Sequence, residues 1–125
     1  MGGTKGKIWL VLAVTAVAAA FGGAAYGSAT PVGPLPKGPV VVVKLHVGKS
    51  YIVKLRKPAA KGHVWRIARA FDSKIVTETH EGETPILIVV TFKAHHAGTT
   101  NVVFAETRGE TRHAYAARTY RFVVA

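Results

Sequence analysis

The chain has 125 residues, and its 17 lysines and arginines outnumber 6 acidic residues, so its formal net charge is +11. This length suits a single domain. Cysteine is absent, which excludes thiol catalysis, thiolate metal sites, disulfides and lipid attachment at a cysteine. A domain of this kind depends on packing for its stability, and its charge favours acidic partners.

The first 29 residues have the three parts of a secretory signal. Lys5 and Lys7 precede an apolar run from Ile8 to Ala20, and small residues follow as far as Ala29. A positive start, an apolar centre and a small-residue end are typical of an N-terminal signal peptide helix. We predict cleavage after Ala29, with Gly27 at the third position before the cut, although cleavage after Gly27 itself fits nearly as well.

An uncleaved membrane anchor is the alternative for the same segment. Residues 8–29 carry no charge, and a membrane-spanning helix needs about 20 apolar residues. The second half of this stretch is rich in glycine and alanine and is only weakly apolar, which favours cleavage. The prediction is therefore a secreted or periplasmic protein, attached to a membrane only if the signal is retained.

Cleavage leaves 96 residues, which begin with a linker rich in proline and glycine. Residues 30–39 hold four of the six prolines, and this composition predicts an extended, poorly ordered linker. The domain itself is predicted over residues 40–125. Loss of Lys5 and Lys7 leaves 15 basic residues against 6 acidic ones, a charge that favours an acidic protein or an anionic envelope polymer as partner. Nucleic acid is not expected, because export places the domain away from it.

From residue 40 onwards, apolar residues alternate with polar ones as they do in β-strands. Turn residues recur about every 10 residues, and no helical periodicity follows residue 30, so an all-β sandwich or barrel is indicated. Tyr120 and Phe122 are expected in the core of the final strand. The predicted strands span 41–47, 51–56, 65–68, 75–80, 86–93, 102–104 and 120–124.

The sequence carries no pattern typical of catalysis or metal binding. It has no Gly-x-Ser-x-Gly elbow. Asp72 is the only aspartate, and all glutamates except Glu78 lie in or beside predicted turns, where solvated carboxylates are common. His95 and His96 are adjacent and would face opposite ways on a strand, and no histidine pair has metal-ligand spacing. We predict no enzyme, no metal and no cofactor.

Two stretches of the domain carry spaced motifs. Residues 92–104 read Phe-x-Ala-x-x-x-Gly-x-x-x-Val-x-Phe, a strand, a turn and a strand. A second stretch contains Pro58, Gly62 and Trp65 in the same order as the motif Asn-Pro-Thr-Thr-Gly-Tyr-x-Trp. Its loop is one residue longer than this motif and lacks the threonines. Together with the opening hairpin region at 47–55, these stretches resemble the chagasin family of secreted inhibitors of papain-like cysteine peptidases.

The resemblance implies an immunoglobulin-like β-sandwich of about seven strands, in which three loops at one end insert non-covalently into the active-site cleft of a papain-like peptidase. Compared with the family, the second loop is shorter, and residues 106–110 replace an Arg-Pro-Trp sequence in the third. No catalytic residue is implied. The residues expected to contact the peptidase are Pro58, Ala59, Ala60, Lys61, Gly62 and His63 in the first loop, Gly82, Glu83 and Thr84 in the second, and Thr107, Arg108 and Gly109 in the third.

The first loop has residues that suit a rigid tip. Gly62 lets the backbone of a partner approach closely, and Pro58 and Trp65 would brace the loop, Trp65 as a core residue rather than a contact. Lys61 places a long cation where the family has small threonines. In the third loop, Arg108 is either a solvated turn residue or an interface anchor, the second because arginine is enriched in binding hot spots.

A second function is compatible with the same residues. A basic immunoglobulin-like module would bind an acidic protein or an anionic envelope polymer without inhibiting a peptidase. Clustering of the three loops at one end of the sandwich would favour inhibition, whereas a sheet face rich in lysine and arginine would favour the second function. In both cases we expect a monomer.

Overall fold

The computed structural model describes residues 31–125, so the predicted signal at residues 1–29 lies outside the described residues. Within the described part, no helix is long and apolar enough to cross a membrane. This part of the chain forms seven strands in two sheets, which confirms the predicted all-β fold. The strands are β1 (Val40–Leu45), β2 (Ser50–Arg56), β3 (His63–Ile67), β4 (Val76–Glu83), β5 (Leu87–Ala94), β6 (Gly98–Arg108) and β7 (Ala114–Val124).

The two sheets form a sandwich. One sheet has the strand order β1-β7-β6-β3 and the other the order β2-β5-β4. β1 is parallel to β7, and the other neighbours are antiparallel. Successive connections lie at alternate ends of the sandwich. The loop end consists of the β2–β3, β4–β5 and β6–β7 connections, and the opposite end consists of the β1–β2, β3–β4 and β5–β6 connections.

Apolar residues at alternate strand positions fill the space between the sheets. Phe92 in β5 is fully buried, and its ring centroid lies 5.4 Å from that of Phe122 and 6.4 Å from that of Phe104. Each such aromatic pair adds about 0.5–1.5 kcal/mol beyond the area it buries. Tyr120 and Phe122 are 4% and 0% exposed, which confirms their predicted place in the core.

Trp65 joins this core from β3, as predicted. It is half-buried and packs against the central cluster. Its indole N–H donates a hydrogen bond of 2.8 Å to the carbonyl oxygen of Arg56. The bond links β3 to the end of β2 and thereby supports the loop between them.

Three strands, β4, β6 and β7, are longer than the sequence pattern predicts by two residues or more. β4 continues through Glu83, so Glu81, Gly82 and Glu83, predicted as a turn, pair with β5 instead. β6 begins at Gly98 and β7 at Ala114, where small and polar residues give no period-2 signal. Backbone pairing with a neighbouring strand decides these bounds, because tertiary context overrides the weak β-propensity of such residues.

The segment 31–39, which we call the N-terminal strap, packs on the outer face of the four-stranded sheet. Val32 is 8% exposed and lies in a small cluster with Ala105 and Ala114. The Thr119 N–H donates to the Pro39 carbonyl at 3.0 Å. A poorly ordered linker is predicted here, and the structure instead shows these residues held against the sheet.

Arg69, which follows β3 in the chain, fixes the strap through its side chain. Its guanidinium group donates to the carbonyl oxygens of Val32 at 3.1 Å and Gly33 at 2.9 Å. The Gly33 N–H donates in turn to the Arg112 carbonyl at 2.7 Å. The strap therefore reaches the β6–β7 loop and is part of the support of the loop end.

Candidate functional site

The first and third predicted loops meet at their tips. The Gly109 N–H donates a hydrogen bond of 3.0 Å to the Gly62 carbonyl. The φ angles are 59° at Gly109 and 81° at Gly62, values that favour glycine. A β-carbon added at either position would meet no heavy atom within 4 Å. The backbone of both tips is thus open to a partner that approaches closely.

Lys57 connects the first loop to the β4–β5 turn. Its N–H donates to the Ile86 carbonyl at 2.9 Å, and its Nζ lies 2.9 Å from Glu83 Oε1. The ion pair is solvent-exposed and contributes at most about 1 kcal/mol, so the backbone bond is the stronger constraint. With the Gly109–Gly62 bond, this contact brings all three predicted loops together at the loop end.

The third loop is braced from within by Arg66 and Thr107. Arg66 donates to the Thr107 hydroxyl at 3.1 Å and to the Thr111 carbonyl at 2.7 Å. The Thr107 hydroxyl donates to the Gly109 carbonyl at 2.6 Å. Burial lowers the pKa of Arg66, and the charge of Glu110 offsets part of that shift. These bonds hold the loop in one conformation before any partner binds.

A histidine–glutamate pair lies beside the first loop. His63 Nδ1 and Glu106 Oε2 are 2.8 Å apart, and both side chains are largely buried. The ring of Tyr115 packs at 4.4 Å from that of His63 and at 4.5 Å from that of His113. Sequence reasoning missed Glu106, His113 and Tyr115 as part of this end. The available signal was a lone aromatic residue among alanines at 114–117.

The predicted contact residues differ in exposure. Thr107 is fully buried, so it supports the third loop and does not form its surface. Gly82 and Glu83 belong to β4, and His63 is the first residue of β3. Pro58 is half-buried. The exposed members of the predicted set are Ala59, Ala60, Lys61, Gly62, Glu83, Thr84, Arg108 and Gly109.

Among residues 31–125, no group of three histidine, cysteine, aspartate or glutamate residues is placed to hold a metal ion. The loop end offers open backbone, exposed cations at Lys61 and Arg108, and a half-exposed aromatic ring at Tyr115.

Comparison with known proteins identifies solved structures with a similar fold. No protein-family model and no curated protein matches the sequence. Among solved structures, the cysteine protease inhibitor EhICP2 from Entamoeba histolytica matches with a TM-score of 0.55 and 16% identity, over 72% of this chain and 99% of that chain. PbICP-C, solved in complex with falcipain-2, matches with a TM-score of 0.58 and 14% identity, over 75% of this chain and 94% of that one.

The fold is chagasin-like. The motifs at residues 58–65 and 92–104 predict this fold, and the structural neighbours confirm it. The match covers nearly the whole of both solved chains.

Proposed function

We propose that the domain inhibits papain-like cysteine peptidases by inserting its loop end into the active-site cleft without forming a covalent bond. The observation that carries this proposal is the clustering of the three loops, tied by the Gly109–Gly62 and Lys57–Ile86 backbone bonds. Loops that are already ordered lose little conformational entropy on binding, which favours affinity. The neighbour solved with falcipain-2 supports a cysteine peptidase as the kind of partner.

The open glycines supply the close approach that a narrow cleft demands. Gly62 and Gly109 present backbone with no side chain between it and solvent, so a partner backbone can come within hydrogen-bond distance. Lys61 and Arg108 flank them as exposed cations. Their charge would speed association with a peptidase whose cleft has an acidic rim, and this part of the rate would fall with salt.

In this proposal, the domain acts outside the cytoplasm, as a secreted or periplasmic monomer. The support is the signal-like composition of residues 1–29. Retention of that segment would instead hold the domain at the membrane surface.

The test is a titration of papain with the protein recovered after export of the full chain. The informative variant is Gly62→Asn, because asparagine tolerates positive φ and its side chain would project into the space that the peptidase must enter. We expect inhibition by the parent protein and at least a tenfold weaker inhibition constant for the variant. Absence of inhibition by the parent protein at micromolar concentration would overturn the proposal for papain.

Gly48→Asn is the matched control. Gly48 has a φ of 90°, and a β-carbon there also meets no atom within 4 Å, but the residue lies in the β1–β2 turn at the opposite end. The backbone cost of the two substitutions is therefore similar. We expect Gly48→Asn to inhibit papain as the parent does, and equal losses in the two variants would argue against insertion of the loop end.

A second candidate function rests on one observation, the basic outer face of the three-stranded sheet. Lys54, Arg56 and Lys93 are exposed there, on the side opposite the buried Val53 and Phe92. Such a face would bind an anionic polymer mainly through charge. Binding to dextran sulfate that weakens steeply with salt, and that is lost when the three cations become glutamine, would support this function.

A further inference from the structure

Two histidine rings pack against one tyrosine ring at the loop end. Tyr115 of β7 lies between His63 of β3 and His113, with centroid distances of 4.4 and 4.5 Å and interplanar angles of 41° and 82°. We call these three residues the aromatic platform. The strands β7 and β3 are separated by β6 in the sheet, so the rings meet across the strand between them.

A break in strand register brings the rings together. Ala116 is opposite Glu106, but Ala114 is opposite the next residue, Thr107, so Tyr115 is an extra residue in β7. A bulge of this kind redirects a side chain, and here Tyr115 reaches the side on which His63 lies. The bulge is therefore the reason that Tyr115 packs on histidines instead of joining the alternating strand pattern.

The platform is held firmly before any partner arrives. The His63 ring is fixed by its 2.8 Å contact with Glu106, and the side chains of these two residues are only 12% and 19% exposed. Tyr115 then packs on this fixed ring and on His113. An aromatic side chain confined in this way has little rotamer freedom left to lose on binding, which is a property of strong interface residues.

Tyr115 is nevertheless 49% exposed. Tyrosine is enriched in binding hot spots because it offers a large apolar face and a hydroxyl group. Residues 109–113, between β6 and β7, include no phenylalanine, tyrosine or tryptophan, so the third loop has no such group of its own. The other large exposed hydrophobic residues of the described part are aliphatic, including Ile86 in the β4–β5 turn of the same loop end, so Tyr115 is the aromatic member of this set.

We infer that the aromatic platform is a contact surface for the inhibited peptidase, with Tyr115 as its central residue. This inference rests on the proposed function, because the platform continues the surface formed by the loop tips. The complementary surface on the peptidase is an apolar shelf beside the cleft with a hydrogen-bond acceptor for the Tyr115 hydroxyl. Specificity among peptidases would follow from the presence of that shelf.

The test compares Tyr115→Ala, Tyr115→Phe and the control Ile52→Ala in the exported protein, with papain as the target. Ile52 is 51% exposed, so Ile52→Ala removes a side chain of similar exposure away from the loops. We expect the inhibition constant to rise at least tenfold for Tyr115→Ala, two- to threefold for Tyr115→Phe, and not at all for Ile52→Ala. Thermal melts of each variant separate a loss of contact from a loss of fold.

Two results would overturn the inference in different ways. If the parent protein inhibits papain and folded Tyr115→Ala inhibits it equally well, the platform is not a contact surface, while the proposed function stands. If the parent does not inhibit papain, both fall for that enzyme. Hydroxyl-radical footprinting of the parent with inactivated papain gives a second measurement that needs no variant. Protection of Tyr115 is expected, and unchanged labelling of Tyr115 in the complex would contradict the inference.

Discussion

The two ends of the sandwich are closed in different ways. At the opposite end, backbone hydrogen bonds tie the connections to each other and to the C-terminal residue. At the loop end, the described residues form two backbone hydrogen bonds between loops. Side-chain hydrogen bonds and an ion pair provide the other contacts between the connections. The bonds of the opposite end are Gly48 N to Ala94 O, Ala94 N to Lys49 O, Val47 N to Ala125 O, Ala125 N to Leu45 O and His95 N to Ile75 O.

Because of this difference, we expect the opposite end to contribute mainly to stability and the loop end to contribute mainly to binding. A larger number of backbone hydrogen bonds between connections makes local opening of the opposite end cost more. The loop end keeps open backbone at Gly62 and Gly109 and a half-exposed ring at Tyr115. Binding residues are commonly found on loops that a rigid scaffold positions, and here the rigid part is the core with the opposite end.

The largest effect on stability is expected from pH, and it should act on the body of the sandwich rather than on the loop end. Burial of the carboxyl group, and then the neighbouring Glu81 carboxylate, raise the pKa of Glu78 from 4.5 to about 8. The folded protein therefore prefers the protonated carboxyl. The contribution of this carboxyl group to the free energy of unfolding is fully present below pH 4.5 and is lost as the pH rises towards 8.

Urea unfolding at pH 5 and pH 8 measures this contribution. The parent protein should have a higher free energy of unfolding at pH 5, and Glu78→Gln should reduce the difference, since glutamine does not titrate. Because other groups titrate in the same range, the comparison with the variant is the decisive one. An identical pH dependence in parent and variant would show that Glu78 ionises normally.

A glycine-to-alanine substitution at each end compares the two ends directly. At the opposite end, Gly98 has a φ of 146°, and an added β-carbon would lie 2.7 Å from the Ile75 Cδ1 atom. We expect Gly98→Ala to cost about 2 kcal/mol, or about 10 °C in Tm. Gly109→Ala, with a φ of 59° and open space, should cost only about 1 kcal/mol.

The same two variants should rank in the opposite order when inhibition is measured, with Gly109→Ala raising the inhibition constant more than Gly98→Ala. Gly98→Ala leaves the loop tips intact, so the folded fraction should inhibit papain normally, whereas Gly109→Ala places a methyl group on the proposed binding surface. Calorimetry and papain titration of both variants check the pair. Equal Tm losses would mean that the two ends are equally constrained.

A smaller effect is expected from Arg69→Met, which removes the donors that hold the strap. The variant loses the bonds to the Val32 and Gly33 carbonyls but keeps an apolar stem. We expect a loss of about 1–2 kcal/mol, because the two bonds are only partly buried. Amide exchange at Gly33 should become faster, since its bond to Arg112 depends on the strap. Unchanged exchange would show that the strap does not need Arg69.

The smallest effect is expected from Glu83→Gln, which removes the ion pair with Lys57. The pair is exposed, so its loss should cost about 0.5 kcal/mol or less. The Lys57 N–H bond to the Ile86 carbonyl would remain and keep the two loops together. A Tm drop of more than about 5 °C would mean that the side-chain contact, and not the backbone bond, ties these loops.

Sequence patterns locate all seven strands but not all of their bounds. Val53, Leu55 and Phe92 fall on the buried face that the period-2 alternation predicts, because burial of one face selects that pattern. The end of β4 at Glu83 carries no such signal. There the backbone pairing with β5 decides, and it outweighs the low β-propensity of glutamate and glycine.

The candidate site is predicted in part. The loops containing Gly62 and Gly109 follow from the resemblance, and both tips are exposed as expected. The buried position of Thr107 could not be predicted, because a threonine beside a turn is usually solvated. Tyr115 was missed since its role depends on a register shift between β6 and β7, and nothing in a single strand's sequence indicates such a shift.

Local composition was sufficient to predict an all-β domain, the order of its strands along the chain and the turns between most of them, because alternation and turn residues act over a few neighbouring positions. The N-terminal strap, the meeting of Gly62 with Gly109, and the contact of Tyr115 with His63 were decided by the packed sandwich alone. Each joins residues far apart in the chain, and the physical reason is the same for all three. Their hydrogen bonds and ring contacts form only once the two sheets have set the distances between strands.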